Sequence, residues 1–221
     1  MIVILDAGHG GMIDGVYQTR GKQSPERPDG TRLYEGENNR KIVEALKKEL
    51  EWNGIPFIDV VNTQDDKPLY KRIKEANKIE GDTLYLSIHS NASREYYIDE
   101  NCTISYSVRK HGKINKKDLF YKSEWSTARG FGTYIYKTAG RKSVERAEIM
   151  HKNLAEHLTQ FTKDRGIRRR DFAVLRETKG SAILLELGFH SNLEESYLIE
   201  SQTWRNEVVK AISIQLNKCN A

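Results

Sequence analysis

Three side chains that could bind a metal ion or accept a proton stand at the ends of short apolar runs. His9 follows the first run, His89 closes a second, and Glu186 closes a third near the carboxyl terminus. If these runs are parallel strands, their carboxyl ends meet at one edge of a sheet, which is where α/β enzymes build their sites. Glu35, which ends a glycine-rich stretch after His9, is a fourth candidate.

Two imidazoles and a carboxylate with one open position are a common catalytic zinc set. One histidine at a strand end is more often a structural hydrogen-bonding group, so spacing alone leaves both the metal site and the structural alternative open. Glu186 strengthens the metal hypothesis because it lies inside an otherwise apolar run. A buried carboxylate needs a nearby metal or cation, or else it becomes protonated.

The elements that must position these residues alternate along the chain. Strands are predicted at residues 2–5, 55–61, 83–89, 131–136, 172–175 and 182–187, and helices at 38–52, 68–79, 143–161, 193–200 and 203–216. Alternation of strands and helices indicates a mainly parallel sheet. We therefore predict an α/β fold, a single domain with a twisted, mostly parallel sheet of about six strands flanked by helices.

Two stretches depart from this alternation. Residues 12–36 are rich in glycine, proline and charge, and are predicted to form a long loop with little regular structure. Residues 93–129 are predicted to be an insertion after the third strand, with a strand-like segment at 102–108. Because the insertion follows the strand that ends at His89, we expect it to border the substrate groove.

Composition excludes some classes of function. Lys and Arg total 36 against 31 Asp and Glu, which gives a net charge of +5 and a pI near 9.0. The densest basic spot, Arg168-Arg169-Arg170, is predicted to be a solvated loop, so no nucleic-acid partner is expected. No apolar run approaches the ~20 residues of a membrane span. Cys102 and Cys219 lack the spacing of metal ligands, and a disulfide between them stays open.

The motifs, taken in order, resemble those of the zinc-dependent N-acetylmuramoyl-L-alanine amidases over residues 2 to about 216. The resemblance rests on VILDAGHGG at 3–11, Glu35 followed by Asn39 and Ile42, LSIHSNA at 86–92, RGI at 165–167, FAVLR at 172–176 and ILLELGFHSN at 183–192. It implies a twisted, mostly parallel sheet and one zinc ion held by His9, Glu35 and His89. Glu186 falls on the catalytic glutamate of the family, which is not a metal ligand.

Other residues receive more open assignments. Glu37 is the alternative to Glu35 as the metal ligand. Glu35 is preferred because it alone puts Asn39 and Ile42 in register with the family motif. Asn91 and Arg176 are the predicted substrate-binding residues; Arg176 is either a partner for a substrate carboxylate or a surface arginine. The family often has an apolar residue at the position of His190, which is therefore either substrate-facing or a surface residue.

The implied activity is hydrolysis of the amide bond between N-acetylmuramic acid and L-alanine in peptidoglycan, the expected partner, for lysis or wall remodelling. A zinc peptidase or other amidohydrolase on a similar fold, and a non-catalytic peptidoglycan-binding relative, are the alternatives. Residues 1–221 are expected to be one catalytic domain without a separate wall-binding domain. With no signal peptide in view, the chain is expected to be cytoplasmic until released to the wall, or to be a mature exported chain. The oligomeric state is left open.

Overall fold

A six-stranded sheet carries the fold in the computed structural model, which describes residues 1–93 and 125–218. The strands are β1 (Ile2–Ala7), β2 (Met12–Ile13), β3 (Val16–Tyr17), β4 (Phe57–Asp59), β5 (Thr83–Asn91), β6 (Phe131–Tyr136), β7 (Asp164–Arg170) and β8 (Ser181–Phe189). The helices are α1 (Glu35–Trp52), α2 (Leu69–Ala76), α3 (Arg141–Leu158), α4 (Ala173–Arg176), α5 (Leu193–Glu200) and α6 (Gln202–Lys218). The predicted α/β class is confirmed.

The strand order is β4-β1-β5-β8-β6-β7. The first four strands in this order run parallel, whereas β6 runs antiparallel to β8 and carries β7 parallel to itself. The carboxyl ends of β1, β5 and β8 therefore meet at one edge, where the register sets His89 opposite Glu186. This edge is the one at which the sequence predicts a site.

The central strands are buried on both faces, which explains their unbroken apolar runs. One core cluster lies beneath α1, α3 and α6, and a second lies beneath α2 and α4. α1 contributes an apolar stripe of Ile42, Val43, Leu46 and Leu50 to the first cluster. Removing such a buried leucine side chain lowers stability by about 2–5 kcal/mol. These contacts therefore hold α1 against the sheet, with its first turn at the carboxyl edge.

Two predictions in the carboxyl-terminal half are wrong. The predicted strand at residues 172–175 is instead the short helix α4, because a brief apolar run does not distinguish a buried strand from a helical turn. The basic triplet Arg168-Arg169-Arg170, predicted as a loop, lies in β7. β7 is an edge strand paired with β6 alone, and solvent contact there permits charged residues.

The stretch predicted as a long loop, residues 12–36, has more structure than expected. It contains the β2–β3 hairpin and an isolated bridge between Gln23 and Tyr34. Helix α1 begins at Glu35 rather than at residue 38. Glu35 is therefore held by the first turn of a helix rather than by a loop.

Most of the predicted insertion falls on residues 94–124, outside the described residues, as do the segment at 102–108, Cys102 and Cys219. Its described end packs at the carboxyl end of β8. The Ser126 amide donates a hydrogen bond to Ser191 O at 2.7 Å, and Asn192 Nδ2 donates to Ser126 O at 2.9 Å. Across residues 1–93 and 125–218, no helix combines the length and apolar character needed to cross a bilayer.

Candidate metal and catalytic site

Three predicted ligands converge at the carboxyl edge of the sheet. His9 lies in the turn after β1, Glu35 is the first residue of α1, and His89 lies near the end of β5. Glu35 Oε1 is 3.3 Å from His9 Nε2 and 3.0 Å from His89 Nδ1. One ligand atom from each residue lies within 4.8 Å of the other two. These three side chains form a candidate metal site.

The turn that carries His9 is strained and is held in place by α1. His9 has a φ of 67°, a left-handed conformation that costs a non-glycine residue about 1–3 kcal/mol. Asn39 Nδ2 donates to Gly8 O at 3.1 Å, and Arg40 Nη1 donates to His9 O at 2.9 Å. On the far side of the turn, the Gly10 amide donates to Thr19 Oγ1 at 2.7 Å. These bonds aim the imidazole of His9 at Glu35.

Gly8 makes room for the second histidine. A Cβ placed on Gly8 would lie 2.1 Å from Cε1 of His89, so any side chain there would displace that ring. With glycine present, the His9 and His89 rings meet edge to face, with centroids 5.0 Å apart. The glycine of the GHG motif is therefore a packing requirement of the site.

Glu35 is buried, and only one of its oxygens is satisfied. Its Oε1 accepts a hydrogen bond from the Ser90 amide at 3.2 Å and contacts both histidines. Its Oε2 has no hydrogen-bond partner among the described residues. Burial alone would raise the pKa of Glu35, but hydrogen bonds from His89 and His9 outweigh it and hold that pKa well below the usual value. Glu35 is therefore a carboxylate with one free acceptor oxygen.

Glu186 lies beside this trio on β8 and is not one of its members. Its Oε2 is buried and has no hydrogen-bond partner among the described residues. Burial raises the pKa of Glu186 to about 7; the negative charge of Glu35 adds to the rise, and His89 and Lys22 oppose it. A group with such a pKa exchanges a proton readily near neutral pH.

His190 lies in the interior beside Glu35. His190 is only 2% exposed, so the surface alternative is wrong. Its Nδ1 lies 3.1 Å from both Ser90 Oγ and Ser90 O, and 3.8 Å from Glu35 Oε2. Burial lowers the pKa of His190, which favours a neutral ring packed behind Glu35. Asn91 ends β5 next to the trio, where its carbonyl accepts from the His190 amide at 2.9 Å.

Glu37 and Arg176 lie outside the cluster. Glu37 Oε1 accepts from the Met12 amide at 2.6 Å, which leaves the ligand position to Glu35. Arg176 ends α4, where it is exposed and pairs with Asp171 and Glu177. The prediction that Arg176 lies near the site is wrong, because β7 runs antiparallel to β8 and delivers the chain to the opposite edge of the sheet.

Sequence reasoning missed two contributors, Arg40 and Lys22. Arg40 is buried and occupies the same helix face as Gly36 and Val43, and a charged residue in line with an apolar stripe is the signal that could have revealed it. Lys22 is exposed in the long loop, and its charge lowers the pKa of Glu186 against the larger effect of burial. No periodic pattern marks a loop residue of this kind.

The donor set suits a zinc ion. Two imidazole nitrogens and one carboxylate oxygen are borderline ligands of the type that zinc takes in catalytic sites. The free Oε2 of buried Glu35 supplies an acceptor that awaits a cation or donor. The ligand chemistry of His9, Glu35 and His89 and the short distances between their ligand atoms therefore fit a zinc ion.

Comparison with known sequences places the chain near cell-wall amidases. Residues 3–218 match the sequence model of the Amidase_3 family, described as N-acetylmuramoyl-L-alanine amidase. The chain is similar to the endolysin of Bacillus phage SPP1, with 26% identity over 95% of this chain and 62% of the relative. It is also similar to the probable cell wall amidase LytH of Staphylococcus aureus, with 28% identity over 95% of this chain and 55% of the relative. The chain therefore spans a little over half the length of these two relatives.

Comparison with solved structures supports the fold. The catalytic domain of CwlV, an N-acetylmuramoyl-L-alanine amidase from Bacillus (Paenibacillus) polymyxa var. colistinus, superposes with a TM-score of 0.70 at 24% identity. The match covers 99% of this chain and 97% of that domain. The chain therefore has the same overall fold as that domain.

Proposed function

The chain belongs to the Amidase_3 family of N-acetylmuramoyl-L-alanine amidases, and from that membership we propose that it hydrolyses the amide bond between N-acetylmuramic acid and L-alanine in peptidoglycan. The observation that carries the proposal is the convergence of His9, Glu35 and His89 within 4.8 Å, beside Glu186, whose Oε2 is buried. The names of the two relatives, endolysin and probable cell wall amidase, support the choice of substrate.

We propose that His9, Glu35 and His89 hold one zinc ion. Their donor chemistry supports this assignment, as does the free oxygen of Glu35. When bound, zinc supplies Lewis-acid chemistry, since it polarises a carbonyl and makes a water molecule more acidic. The protein's part is to hold the three ligands in place through the His9 turn and the first turn of α1.

Glu186 is the proposed proton carrier. Its raised pKa of about 7, caused first by burial, lets it accept a proton from the attacking water and return that proton to the departing amine. Its unpartnered Oε2 leaves an acceptor free for that water. Asn91, at the end of β5, is the proposed contact for the substrate beside the scissile bond.

We further propose that residues 1–221 act as one catalytic domain in bacterial lysis or wall remodelling. A single continuous sheet and a family match over residues 3–218 support one domain. Two settings follow from the sequence, a chain held in the cytoplasm until it is released to the wall and a mature exported chain, and fractionation of producing cells separates them.

The experiment that tests the function is digestion of purified peptidoglycan by the zinc-loaded protein. We expect free L-alanine amino termini to be released while the glycan strands stay intact. Cleavage within the stem peptide would instead identify a zinc peptidase. Bound zinc with no cleavage of any peptidoglycan preparation would identify a non-catalytic relative.

Variants test the residue assignments in the same assay. Glu186→Gln should keep its zinc and lose hydrolysis, whereas His9→Ala should lose both. Glu35→Gln should lose zinc, and the matched variant Glu37→Gln should retain it, as measured by metal analysis of the purified proteins. Normal digestion by Glu186→Gln would show that the catalytic assignment is wrong.

A further inference from the structure

The edge strand β7 presents an arginine on the same face of the sheet as Glu186. The register pairs Tyr134 of β6 with Leu184 of β8 and with Arg168 of β7. Paired residues share a face, and so do alternate residues along a strand. Leu184 and Glu186 are alternate residues, so Arg168 faces the Glu186 side. Arg169, the next residue, faces the opposite side.

β6 has a glycine at the level of Glu186, and the ring of Tyr134, two residues further along β6, lies beside that position. The residue of β6 opposite Glu186 is Gly132. A Cβ placed on Gly132 would lie 3.6 Å from the Cβ of Arg165 and 3.4 Å from Gly166 O, so β7 closes directly on this position. We call the strip of the sheet from Glu186 across Gly132 to Arg165 and Arg168 the trough; the Tyr134 ring lies along it.

The guanidinium groups in this trough have free donors. In the described part of the chain, neither Arg165 nor Arg168 forms an ion pair with a carboxylate. Arg168 Nε donates to Arg165 O at 3.2 Å, and Arg165 Nη1 donates to Arg129 O at 3.1 Å. Arg165 lies 4.8 Å over the Phe189 ring, and its buried Nε has no hydrogen-bond partner among the described residues. Guanidinium groups with open N–H donors favour carboxylates.

The hydroxyl of Tyr134 is affected by the charges of both Glu186 and the β7 arginines. Burial is the main cause of the raised pKa of Tyr134, and the charge of Glu186 raises that pKa further. Arg168, Arg165 and then Arg170 act in the opposite direction on the same hydroxyl. Tyr134 therefore lies between a negative group on one side and the arginines on the other.

From this arrangement we propose that Arg168 and Arg165 bind a carboxylate of the stem peptide, two or three residues from the scissile amide. The inference rests on the proposed function, because it takes Glu186 to mark the scissile bond. β7 is two strands from β8, or about 10 Å at the usual strand spacing. An extended peptide advances about 3.3 Å per residue, so a carboxylate at that position reaches the trough.

A second role for the same arginines predicts a different pattern. Charged residues on an edge strand discourage pairing with another sheet. That role would use Arg169 as much as Arg168, since both lie on β7. Carboxylate binding requires arginines on the Glu186 face, which includes Arg168 and excludes Arg169. Arg169→Gln is therefore a matched control for Arg168→Gln.

The test compares two soluble muramoyl peptides, one with free carboxylates and one in which they are carboxamides. For Arg168→Gln we expect the KM for the carboxylate substrate to rise about 10-fold with little change in kcat. The KM for the carboxamide substrate should stay at the wild-type value. Arg169→Gln should match the wild type on both substrates.

Equal losses on the two substrates, or equal losses from the two variants, would overturn the proposal. Calorimetry in the Glu186→Gln background provides a readout that needs no turnover. There, adding Arg168→Gln should weaken binding of the carboxylate peptide about 10-fold and leave binding of the carboxamide peptide unchanged. If wild type cleaves neither substrate, the proposed function fails, and the calorimetric comparison still decides whether the trough binds carboxylates.

Discussion

Two glutamates near the end of β8 differ in how their oxygens are satisfied. Glu195, in the first turn of α5, accepts hydrogen bonds from the Gly130 amide at 2.8 Å, the Phe189 amide at 2.7 Å and the Thr162 hydroxyl. Glu186, on β8, keeps a buried Oε2 that has no partner among the described residues. One carboxylate is saturated with donors, and the other is open.

The difference separates structure from chemistry. Glu195 ties together the start of β6, the connection from α3 to β7 and the end of β8, so its donors fix the backbone around the site. No residue that the structure describes donates to Glu186 Oε2, and burial raises the pKa of Glu186 to about 7. An open buried carboxylate is costly to ionise, and it is therefore found where a proton or a cation arrives during function.

The largest effect should come from the open carboxylate. Glu186→Gln preserves shape and removes the proton acceptor, so we expect hydrolysis to fall about 100- to 10,000-fold. Thermal stability should not decrease, because the amide has no charge to desolvate. Rates of peptidoglycan digestion and melting temperatures, measured on the same preparation, check both halves of this expectation. A loss of stability matching the loss of activity would remove the distinction between the two glutamates.

Mutation of Glu195 should lower stability, whereas mutation of Glu186 should lower activity. Glu195→Gln places an amide where three donors converge, and we expect the free energy of unfolding to fall by about 3 kcal/mol. The neighbouring Glu194 is exposed, and within the described ranges its ion pair is with Arg129 at the surface. Glu194→Gln should therefore change the free energy of unfolding by less than about 0.5 kcal/mol. Urea denaturation of both variants measures the contrast. Equal stabilities would mean that the donors around Glu195 are not structural.

Arg40 tests whether a saturated group can still influence the metal. Its guanidinium donates to His9 O, Gly36 O and Thr63 O, which holds the strained His9 turn. Arg40→Gln should therefore weaken zinc binding by about 10- to 100-fold, as is usual when partners of metal ligands are removed. The exposed neighbour provides the control, since Lys41→Gln should bind zinc normally. Competition with a chromophoric chelator gives both affinities.

The last comparison concerns pH in metal-free protein. The pKa of Glu186 is raised from 4.5 to about 7, so folding favours its protonated form. That contribution is present below pH 4.5 and is lost as pH rises through about 7. Wild type should therefore lose stability over this interval relative to Glu186→Gln. Melting temperatures of both proteins across pH in the presence of EDTA test the sign; parallel profiles would contradict it.

The sequence predicts the regions buried on both faces and misses those that depend on strand direction. β1, β5 and β8 are predicted because complete burial gives unbroken apolar runs. β7 is missed because an edge strand needs no such run. Arg176 is misplaced because nothing in the sequence marks the reversal of β6 against β8.

The residues of the candidate site likewise differ in how far the sequence predicts them. His9 and His89 are predicted from their places at strand ends, and the identity of Glu35 depends on the register of the family motif. The contacts of Arg40 are beyond prediction because they join a helix side chain to carbonyls of a distant turn and loop. Backbone carbonyls carry no sequence identity, so their partners emerge only from the tertiary structure.

Helix α1 carries Glu35 and, one turn later, the two side chains that hold the His9 turn. Two of the three ligands therefore become ordered together when this one helix docks on β1. In terms of folding order, the metal site assembles after α1 has docked, and a chain with α1 undocked retains only His89 on its strand. The proposed zinc ion would then bind the native state alone, and at 100 times its Kd it would add about 2.7 kcal/mol to stability. Zinc uptake by the protein would thus report on the docking of α1.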